Sequence, residues 1–429
     1  MLHNIYGIND KGHLTIGGVD TVDIAAEYGT PAYVMDESKI REMCRIYKAA
    51  LARYGDGLPL YAGKALCVKG IYRIIAEEGL GADVVSGGEL HTIMAAGFPL
   101  ERAYFHGNNK TDADIMTAVE AGIGYFIADN REELDAIEAA AEKCGKIQKI
   151  LLRITPGIDP HTNQKVITGN VDSKFGTAIK TGQAMEIVKY ALSLKHIELE
   201  GLHCHIGSQI FEAEPFTDAA DIMCDFIADV KKETGWEART LNLGGGLGVR
   251  YIEEHPMIDY GAEIDRICAH VKAKCAENSL NCPRLLLEPG RAIVAAAGIT
   301  LYTVGSVKQI TGFKNYVSVD GGMPDNPRYA LYSSQYTALV ANRADQPADF
   351  VCSLAGRCCE SGDLLAENIK LQNCERGDIL VVLVTGAYNY SMASNYNRLP
   401  RPPIIMVNDG KTYTLVRRES YDDLLRNEF

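Results

Sequence analysis

The sequence has few of the features that mark nucleic-acid-binding, membrane or secreted proteins. Lys and Arg total 43 against 56 Asp and Glu, so the formal net charge is −13 at pH 7. A chain this acidic is a poor partner for nucleic acids or anionic membranes. No uncharged apolar stretch reaches the ~20 residues of a membrane helix, and no basic start followed by an apolar segment predicts a secretory signal. We therefore expect a cytoplasmic protein without nucleic-acid or membrane partners.

Cysteine pairing motifs are also missing. None of the 12 cysteines lies in a CxxC pair, and disulfide scaffolds are short and cysteine-dense, unlike this chain. Cys268, Cys275 and Cys282 recur every seven residues, a near-helical spacing that favours core packing over a metal site. We expect reduced thiols and no bound metal.

What the chain does have is the pattern of a large α/β domain. Its 429 residues are 47% apolar and 23% charged, which is globular composition. Eight nearly continuous apolar runs alternate with amphipathic segments, as expected of strands buried on both faces between helices. Eight such units over about 250 residues favour a closed (β/α)8 barrel of the TIM type over a doubly wound open sheet. The runs are LPLYAGK (58–64), GADVVS (81–86), RAYFHG (102–107), YFIAD (125–129), KILLRI (149–154), LEGLHCHIGS (199–208), TLNLGGG (240–246) and RLLLEPG (284–290).

Beyond residue 295 the pattern changes to strands separated by short turns, such as KNYVSVDGG, DFVCSLAGR and GDILVVLVTG. This is typical of a mostly antiparallel β domain. The N-terminal segment, with GHLTIGG and TPAYVMD, has the same character, so we expect it to complete that domain. We predict the barrel at 37–294 and a discontinuous β-sandwich or barrel-like domain at 1–36 and 295–429.

Polar and ionisable residues collect where the predicted barrel strands end, which is the edge that carries the active sites of barrel enzymes. A lysine that ends an apolar strand is either a Schiff-base nucleophile or a side chain whose amine reaches solvent. A glycine run there is either a phosphate seat or a flexible turn. Neighbouring glutamate and arginine either bind a ligand or pair with each other. The residues are Lys64, Asp83, Ser86, His203, His205, Gly244, Gly245, Gly246, Glu288, Pro289, Gly290 and Arg291.

Three turns of the predicted β domain carry further candidates. VDGGMPDNPRYALY contains Arg328 and Tyr332, AGRCCESGD contains Cys359 and Glu360, and TGAYNYSMASNYN contains Tyr388. A cysteine in a polar loop is less often inert than one inside a strand. The two tyrosines are equally consistent with ordinary packing.

Ten motifs, taken in order, resemble those of the diaminopimelate decarboxylases, members of the alanine-racemase-like group of pyridoxal-phosphate enzymes. The match runs from about residue 20 to about residue 405. It implies a (β/α)8 barrel with a β domain, pyridoxal 5′-phosphate as cofactor, and decarboxylation of meso-2,6-diaminopimelate to L-lysine and CO2, the last step of lysine biosynthesis. The motifs are YAGKALC, GLGADVVSGGEL, RITPGIDPHT, DSKFG, GLHCHIGSQI, LNLGGGLGV, EPGRAIVA, VDGGMPDNPRYALY, CCESGD and TGAYNYSMASNYN.

The resemblance implies roles for the barrel candidates. Lys64 is expected to carry the cofactor covalently, His205 to stack on its ring with Ser208 nearby, and Glu288 to pair with its pyridine nitrogen. Asp83 is a further expected cofactor-binding residue. The cofactor phosphate is expected to be held by Gly244, Gly245, Gly246 and the turn formed by Glu288, Pro289, Gly290 and Arg291.

The resemblance also implies which residues bind the substrate and protonate its reaction product. Arg291, Arg328 and Tyr332 are expected to bind the distal carboxylate of the substrate and its neighbouring groups, and Tyr388 to contact both cofactor and substrate. Cys359 is the expected proton donor and Glu360 the expected contact of the substrate amine. In the family these two residues reach the site from the partner subunit of a homodimer.

Elementary chemistry supports the glutamate assignment. Loss of an α-carboxylate leaves a carbanion, and a protonated pyridine ring is a strong electron sink for it. A carboxylate such as Glu288 stabilises that protonated ring. The similar alanine racemases place an arginine there, so Glu288 favours decarboxylation over racemisation.

Two positions depart from the family pattern. His161-Thr162-Asn163 stands where the family often has HTH, and Arg357-Cys358 precedes the expected proton donor where another pair is usual. Neither departure removes a residue with an expected role.

Three other functions stay open. They are decarboxylation of ornithine, arginine or carboxynorspermidine, a non-catalytic pyridoxal-phosphate-binding role, and a barrel aldolase that uses Lys64 on a substrate carbonyl. Arg328 favours diaminopimelate, because ornithine and arginine lack a distal carboxylate. The retained Cys359 and Glu360 argue against a non-catalytic homologue.

Overall fold

The structure, a computed structural model, describes residues 2–158 and 173–429. The chain forms two compact units: one comprises Met43–Gly248 and Ile258–Gly290, the other Met1–Glu42, Val249–Met257 and Arg291–Phe429. The domain boundaries expected at 36/37 and 294/295 stay predictions. The His161-Thr162-Asn163 departure lies outside the described residues. Within the described ranges, no helix combines the length and the apolar character needed to cross a bilayer.

The N-terminal segment starts with a small antiparallel sheet and continues into one long buried strand. Asp20 caps the first helix, because its side chain accepts a hydrogen bond from the N–H of Val22. The elements are β1 Tyr6–Ile8, β2 Leu14–Ile16, β3 Val19–Asp20, α1 Thr21–Tyr28, β4 Ala32–Asp36 and α2 Glu37–Ala52.

Eight parallel strands form a closed ring, in the order β9-β11-β12-β13-β5-β6-β7-β8 with β8 paired back to β9. These are the eight strands predicted from the sequence, so the closed barrel is confirmed. A two-residue strand, β10, pairs with the C-terminal end of β9. The strands are β5 Leu58–Ala62, β6 Gly81–Val84, β7 Ala103–Phe105, β8 Tyr125–Ala128, β9 Gln148–Thr155, β10 Thr177–Ala178, β11 Ile197–His203, β12 Thr240–Asn242 and β13 Arg284–Leu287.

Several strands end earlier than the apolar runs that predicted them. The run 199–208 becomes β11 Ile197–His203, and the run 240–246 becomes β12 Thr240–Asn242. Composition alone does not mark where a buried strand turns into a buried loop. The residues beyond these ends are the ones that carry the chemistry.

The barrel helices begin at polar caps. Ser86, Thr111, Asn130 and Asp259 each accept a hydrogen bond from a backbone N–H of the first turn, which satisfies a donor that the helix leaves unpaired. The helices are α3 Lys69–Glu77, α4 Gly87–Ala95, α5 Asp112–Ala121, α6 Arg131–Lys143, α7 Gln183–Ser193, α8 Glu214–Thr234 and α9 Tyr260–Glu277.

The second unit is built on a mixed sheet in which β4 lies between two C-terminal strands. The order is β18-β17-β15-β14-β4-β20-β21, with β19 also paired to β14 and β16 to β19. The N-terminal segment therefore completes the C-terminal sheet, as predicted. The pairs β15–β17 and β4–β20 are parallel and the other pairs are antiparallel. The remaining elements are α10 Arg291–Val294, β14 Gly298–Gln309, β15 Asn315–Val319, α11 Arg328–Tyr332, β16 Ala338–Val340, β17 Phe350–Ala355, β18 Leu364–Leu371, β19 Ile379–Leu383, β20 Ile404–Asn408, β21 Lys411–Val416 and α12 Tyr421–Leu425.

The cysteines, all of which fall in the described ranges, are free thiols. Cys268 and Cys275 are buried on α9, as the core interpretation predicted, but Cys282 is exposed. That part of the prediction was wrong because α9 ends at Glu277, so the helical spacing does not extend to position 282.

The barrel interior is filled by apolar side chains from different strands. Leu60, Tyr104, Ile127, Leu151 and Leu286 form a single buried cluster. Because each comes from a different strand of the ring, the cluster couples the strands on which the site residues sit.

Shortening one of these side chains is predicted to destabilise the barrel. Leu151→Ala removes a fully buried side chain and should lower the unfolding free energy by about 2–5 kcal/mol. Leu192→Ala is the control, because Leu192 is 37% exposed, and it should cost about 1 kcal/mol or less. Thermal unfolding followed by circular dichroism measures both. Equal melting temperatures for the two variants would contradict the central position of Leu151.

Candidate active site

Lys64 follows β5 in a single 3-10 turn, Gly63–Ala65. Gly63 and Ala65 are buried, whereas Lys64 is exposed. Its strand stops at Ala62, two residues earlier than the apolar run suggested. Lys64 is therefore not enclosed in an apolar strand, and the sequence argument from a costly strand-end lysine does not hold as stated.

The end of β6 fixes this turn. Asp83 is buried, and its Oδ1 accepts a hydrogen bond of 2.8 Å from the N–H of Gly63. Burial, together with the charge of Glu288, raises the pKa of Asp83 well above its usual range, and the charge of Lys64 opposes that shift. The charged groups of Lys64, Asp83 and Glu288 are therefore close enough within the barrel to influence one another.

Ser86 and Glu89 organise the next helix rather than the cofactor neighbourhood directly. The Ser86 hydroxyl accepts a 3.2 Å hydrogen bond from the N–H of Glu89, and Glu89 Oε2 accepts one of 2.8 Å from the N–H of Val85. Ser86 thus caps α4, which starts at Gly87, while Glu89 holds the backbone just before the cap. Glu89 thus lies in the first turn of α4.

Glu288 is the most highly connected carboxylate of the barrel edge. It is buried directly after β13, and its Oε1 receives a 2.7 Å hydrogen bond from Asn242 Nδ2. The same oxygen lies 3.0 Å from His106 Nε2 and 3.3 Å from His203 Nε2. The glutamate is therefore held by groups at the ends of three other strands of the ring, β7, β11 and β12.

These contacts act on the ionisation of Glu288. Burial raises its pKa, but the Coulombic attraction of His106 and His203, with a smaller contribution from hydrogen bonding, outweighs burial and holds the pKa of Glu288 well below its usual range. Burial also lowers the pKa of His106, and that of His203 to about 4. At neutral pH the cluster is thus a carboxylate beside two neutral rings.

The glycine run after β12 lies where other backbones approach closely. A Cβ on Gly245 would come within 2.1 Å of the carbonyl oxygen of Glu288, and one on Gly246 within 2.5 Å of that of Gly207. Gly244 has a φ of 71°, in the left-handed region that favours glycine. Its N–H donates to Asn242 Oδ1 over 2.9 Å. Asn242 therefore connects the glycine run to Glu288.

His205 and Ser208 lie in the loop after β11 and are both half-buried. Burial lowers the pKa of His205 well below its usual range, and the positive charge of Lys64 adds to this effect. His205 is therefore neutral at physiological pH and within electrostatic range of Lys64. A flat neutral ring at this place suits stacking on another flat ring.

The second unit brings a different group of predicted residues together. The guanidinium carbons of Arg291 and Arg328 lie 4.8 Å and 5.1 Å from the centre of the Tyr388 ring. Arg328 also lies 5.0 Å from the centre of the Tyr332 ring, and Arg291 Nη1 donates to Tyr251 Oη over 2.8 Å. Both arginines are buried, so two cations share one aromatic neighbour away from water.

Cys359 and Glu360 lie in the loop between β17 and β18, and both are exposed. The N–H of Cys359 donates to Asn397 Oδ1 over 2.7 Å, which fixes the backbone and leaves the thiol exposed. The preceding Cys358 is half-buried, and burial raises the pKa of its thiol to about 12. Only the second cysteine of the pair is therefore open to a reaction partner.

Residues that the sequence analysis did not assign complete the cluster around Glu288 and the arginine–tyrosine group of the second unit. His106 and Asn242 hold Glu288, and His203 does so as well, although the sequence only placed it at a strand end. His106 is the last residue but one of the run RAYFHG, so the strand-end rule applied to the third strand identifies it too. Tyr251 and Tyr336, whose rings meet edge-on at 5.2 Å, had no sequence signal of their own.

Comparison with known proteins gives the family. Residues 37–295 match the family described as "Pyridoxal-dependent decarboxylase, pyridoxal binding domain". The diaminopimelate decarboxylase of Halalkalibacterium halodurans is 47% identical over 428 residues, covering 99% of this chain and 97% of its own length. That of Bacillus subtilis is 44% identical, covering 99% and 97%. The chain belongs to the diaminopimelate decarboxylase family.

Solved structures agree. A diaminopimelate decarboxylase of M. jannaschii in complex with L-lysine superimposes with a TM-score of 0.92 at 34% identity, covering 100% of this chain and 99% of its own. A lysine/ornithine decarboxylase of Vibrio vulnificus in complex with putrescine has a TM-score of 0.76 at 25% identity, covering 90% and 97%. The family resemblance expected from the motifs is confirmed.

The cofactor of the family is pyridoxal 5′-phosphate, and the barrel residues fit it. The cofactor needs an amine for its aldehyde, an acceptor for its ring nitrogen and backbone donors for its phosphate. The barrel unit offers an exposed lysine, a buried ionised glutamate and a glycine run where a side chain would collide with backbone. The donor set is therefore complete within this unit.

A side chain on the glycine run is predicted to weaken cofactor binding. In Gly245→Ala the new Cβ would lie 2.1 Å from a backbone oxygen, so the loop must shift, and an overpacking cost of about 1–3 kcal/mol corresponds to roughly fivefold to hundredfold weaker binding. Fluorescence titration of the cofactor-free protein with pyridoxal phosphate measures the Kd. Gly261→Ala on α9 is the control, because its nearest atom outside the helix backbone lies 3.4 Å away. Wild-type affinity in a folded Gly245→Ala variant would contradict the phosphate-seat assignment.

Proposed function

We propose that this chain decarboxylates meso-2,6-diaminopimelate to L-lysine and CO2, with pyridoxal 5′-phosphate held on Lys64. Relatives that share this family name match it over nearly its whole length, which supports the reaction. The observation that carries the proposal is the buried carboxylate of Glu288, which stays ionised at the strand end next to that of Lys64. The strands before them, β13 and β5, are hydrogen-bonded neighbours.

Pyridoxal phosphate, when bound, would supply the electron sink for the carbanion that loss of CO2 leaves. Glu288 would keep the proton on the ring nitrogen, because a buried anion favours a cationic neighbour, and His205 would stack on the ring. The turn at Gly244, Gly245 and Gly246 would hold the phosphate. Pro289 and Gly290 keep the adjoining turn closed: the carbonyl of Pro289 accepts a 3.1 Å hydrogen bond from the N–H of Ala62.

Substrate selection rests on the arginine–tyrosine group. Among the described residues, no carboxylate lies within ion-pair distance of Arg328, whose partners include two aromatic rings and, at 4.0 Å, the sulfur of Met392. A buried guanidinium without a protein anion attracts one from a ligand. We assign it the distal carboxylate of diaminopimelate, with Arg291, Tyr332 and Tyr388 as its neighbours.

We assign proton delivery to Cys359 and recognition of the substrate amine to Glu360, acting from the partner subunit of a homodimer. Their exposure in the single chain supports this assignment, because a proton donor must be accessible to its acceptor. A cytoplasmic location, supported by the free thiols, is part of the same proposal.

A decarboxylase of another basic amino acid is the second candidate. The structural likeness to a lysine/ornithine decarboxylase favours it, but at lower identity and coverage than the diaminopimelate decarboxylases. Ornithine and arginine would also leave the charge of Arg328 without a distal carboxylate. We therefore rank it below diaminopimelate decarboxylation.

Turnover of a substrate panel tests the proposal. The wild-type protein should release CO2 from meso-diaminopimelate and not from ornithine or arginine. Arg328→Met keeps the stem and removes the charge, and it should lower kcat/KM for diaminopimelate about tenfold to hundredfold, the effect of losing a charged hydrogen bond. Arg266→Met, at an exposed surface pair with Glu263, is the control. Preferential turnover of ornithine by the wild-type protein would refute the substrate assignment.

Subunit complementation tests the shared site. Lys64→Ala and Cys359→Ala should each be inactive as homodimers. Mixed after dissociation and reassociation, they should recover roughly a quarter of wild-type activity, because half of the symmetric dimers are then mixed and each has one intact site. Absence of recovery from verified mixed dimers would show that Lys64 and Cys359 serve the site of their own chain.

A further inference from the structure

One oxygen of Glu288 is contacted from three strand ends. His106 follows β7, His203 ends β11 and Asn242 ends β12, and all three approach Oε1, at 3.0, 3.3 and 2.7 Å. The four side chains are buried. The other oxygen, Oε2, takes no part in these contacts.

The two imidazoles support each other's position. Their ring centres lie 5.1 Å apart and the planes are inclined by 76°, an edge-to-face packing that fixes both rings. Nε2 of each ring lies within 3.3 Å of Oε1, but neither N–H is aligned for a regular hydrogen bond, so the rings act on the carboxylate chiefly through electrostatic attraction. The single side-chain oxygen of Asn242, Oδ1, accepts a hydrogen bond from the N–H of Gly244, so its amide cannot rotate away without losing that bond.

Other charged groups also act on this cluster. Asp83, at the end of β6, repels the carboxylate, while Arg153 on β9 attracts it. Lys110 and Arg153 oppose protonation of His106, and Lys64 and Arg153 oppose that of His205. Burial is the main reason that the pKa values of these histidines are lowered, and the surrounding cations add to it.

We propose that His106 and His203 are positioning residues that keep the Glu288 carboxylate ionised and oriented, with Oε2 available to the ring nitrogen of the bound cofactor. This inference rests on the proposed function, in which Glu288 keeps that nitrogen protonated. Neutral donors suit the task better than a lysine or arginine would. A cation would neutralise the carboxylate and remove the field that stabilises the protonated ring, whereas an imidazole N–H stabilises the anion and leaves the net charge at −1.

The inference has a consequence for pH dependence. A buried carboxylate that loses its donors has a higher pKa, because burial is then opposed by fewer hydrogen bonds. In variants without the imidazole donors, Glu288 should therefore take up its proton at a higher pH than in the wild-type protein. The acid limb of the kcat profile and of the cofactor spectrum should move upward in pH together.

The test compares holoenzymes with and without the donors. His106→Phe and His203→Phe keep a ring and remove the N–H, while His106→Gln and His203→Gln keep a donor. Glu288→Gln is the reference for a lost charge. His270→Gln is the matched control, because His270 forms a 2.7 Å contact with the carboxylate of Asp221 outside the site. The readouts are the nitrogen-15 shift of ring-labelled pyridoxal phosphate, the pH profile, and kcat and KM measured separately.

We expect the Phe variants to lose about tenfold to hundredfold in kcat, as is common for groups that orient a primary ligand, with KM within about threefold of wild type. Their ring nitrogen-15 signal should move towards that of Glu288→Gln, and their acid limb should shift upward. In the Gln variants the nitrogen-15 signal and the acid limb of the pH profile should return most of the way to the wild-type values. His270→Gln should match the wild-type protein.

Three results would overturn the inference. One is an unchanged nitrogen-15 signal and pH profile in both Phe variants, even with activity lost, because the loss would then be structural. Another is a Gln variant as impaired as its Phe counterpart. The third is stoichiometric zinc in the purified holoenzyme, since two histidines and a glutamate also suit that metal. If a Phe variant does not fold, the Leu variant at the same position takes its place.

The nitrogen-15 comparison needs no turnover, so it separates this inference from the proposed function. A wild-type protein that fails to decarboxylate diaminopimelate defeats the proposed function, yet its ring nitrogen still reports whether His106 and His203 act through Glu288. Conversely, if the wild-type protein is active and the Phe variants show an unchanged nitrogen-15 signal and pH profile, only this inference is refuted.

Discussion

The interaction on which the barrel edge depends is the buried contact between the Glu288 carboxylate and the three groups around its Oε1. An isolated carboxylate in a protein interior would protonate, because burial disfavours its charged form. Here Asn242, His106 and His203 compensate for the lost water, and the charge of Arg153 adds to their effect. A carboxylate in this state stabilises a protonated pyridine ring. A protonated ring withdraws electrons more strongly than an unprotonated one, and decarboxylation depends on that withdrawal.

The parallel barrel makes this cluster possible. Each strand end contributes one side chain, and the closed ring places the ends of β7, β11, β12 and β13 around one point. The interior cluster of Leu60, Tyr104, Ile127, Leu151 and Leu286 fixes the strands beneath. A displacement of one strand would therefore reach the donors of Glu288 through a close-packed interior.

Much of this arrangement could be predicted from the sequence. All eight barrel strands were predicted, because strands buried on both faces leave continuous apolar runs, and so was the pairing of the N-terminal segment with the C-terminal sheet. The strand ends were less accurate. The exposure of Lys64 was missed because the chain leaves β5 at Ala62, a turn that composition does not reveal.

The partners of Glu288 were harder to predict than Glu288 itself. Asn242 lies inside the apolar run TLNL and shows no sign of a special role until Gly244 and Glu288 are seen on either side of its amide. Tyr251 is more remote still: it belongs to a loop after β12 and yet contacts Arg291. Contacts between residues far apart in the chain depend on tertiary packing, which residue patterns describe only for regular elements.

The second unit buries positive charge, whereas the barrel edge buries negative charge. Arg291 and Arg328 are buried cations that both face the ring of Tyr388, and the electron-rich ring lowers the cost of bringing two positive charges near each other. Tyr388 has a φ of 68°, a region that non-glycine residues rarely occupy and that persists only where the surroundings hold it. The backbone strain at Tyr388 and the burial of two guanidiniums both oppose folding of this segment. Binding of a ligand carboxylate would compensate for the buried positive charge, so the residues that cost stability in the free protein are the ones to which we assign the distal carboxylate of the substrate.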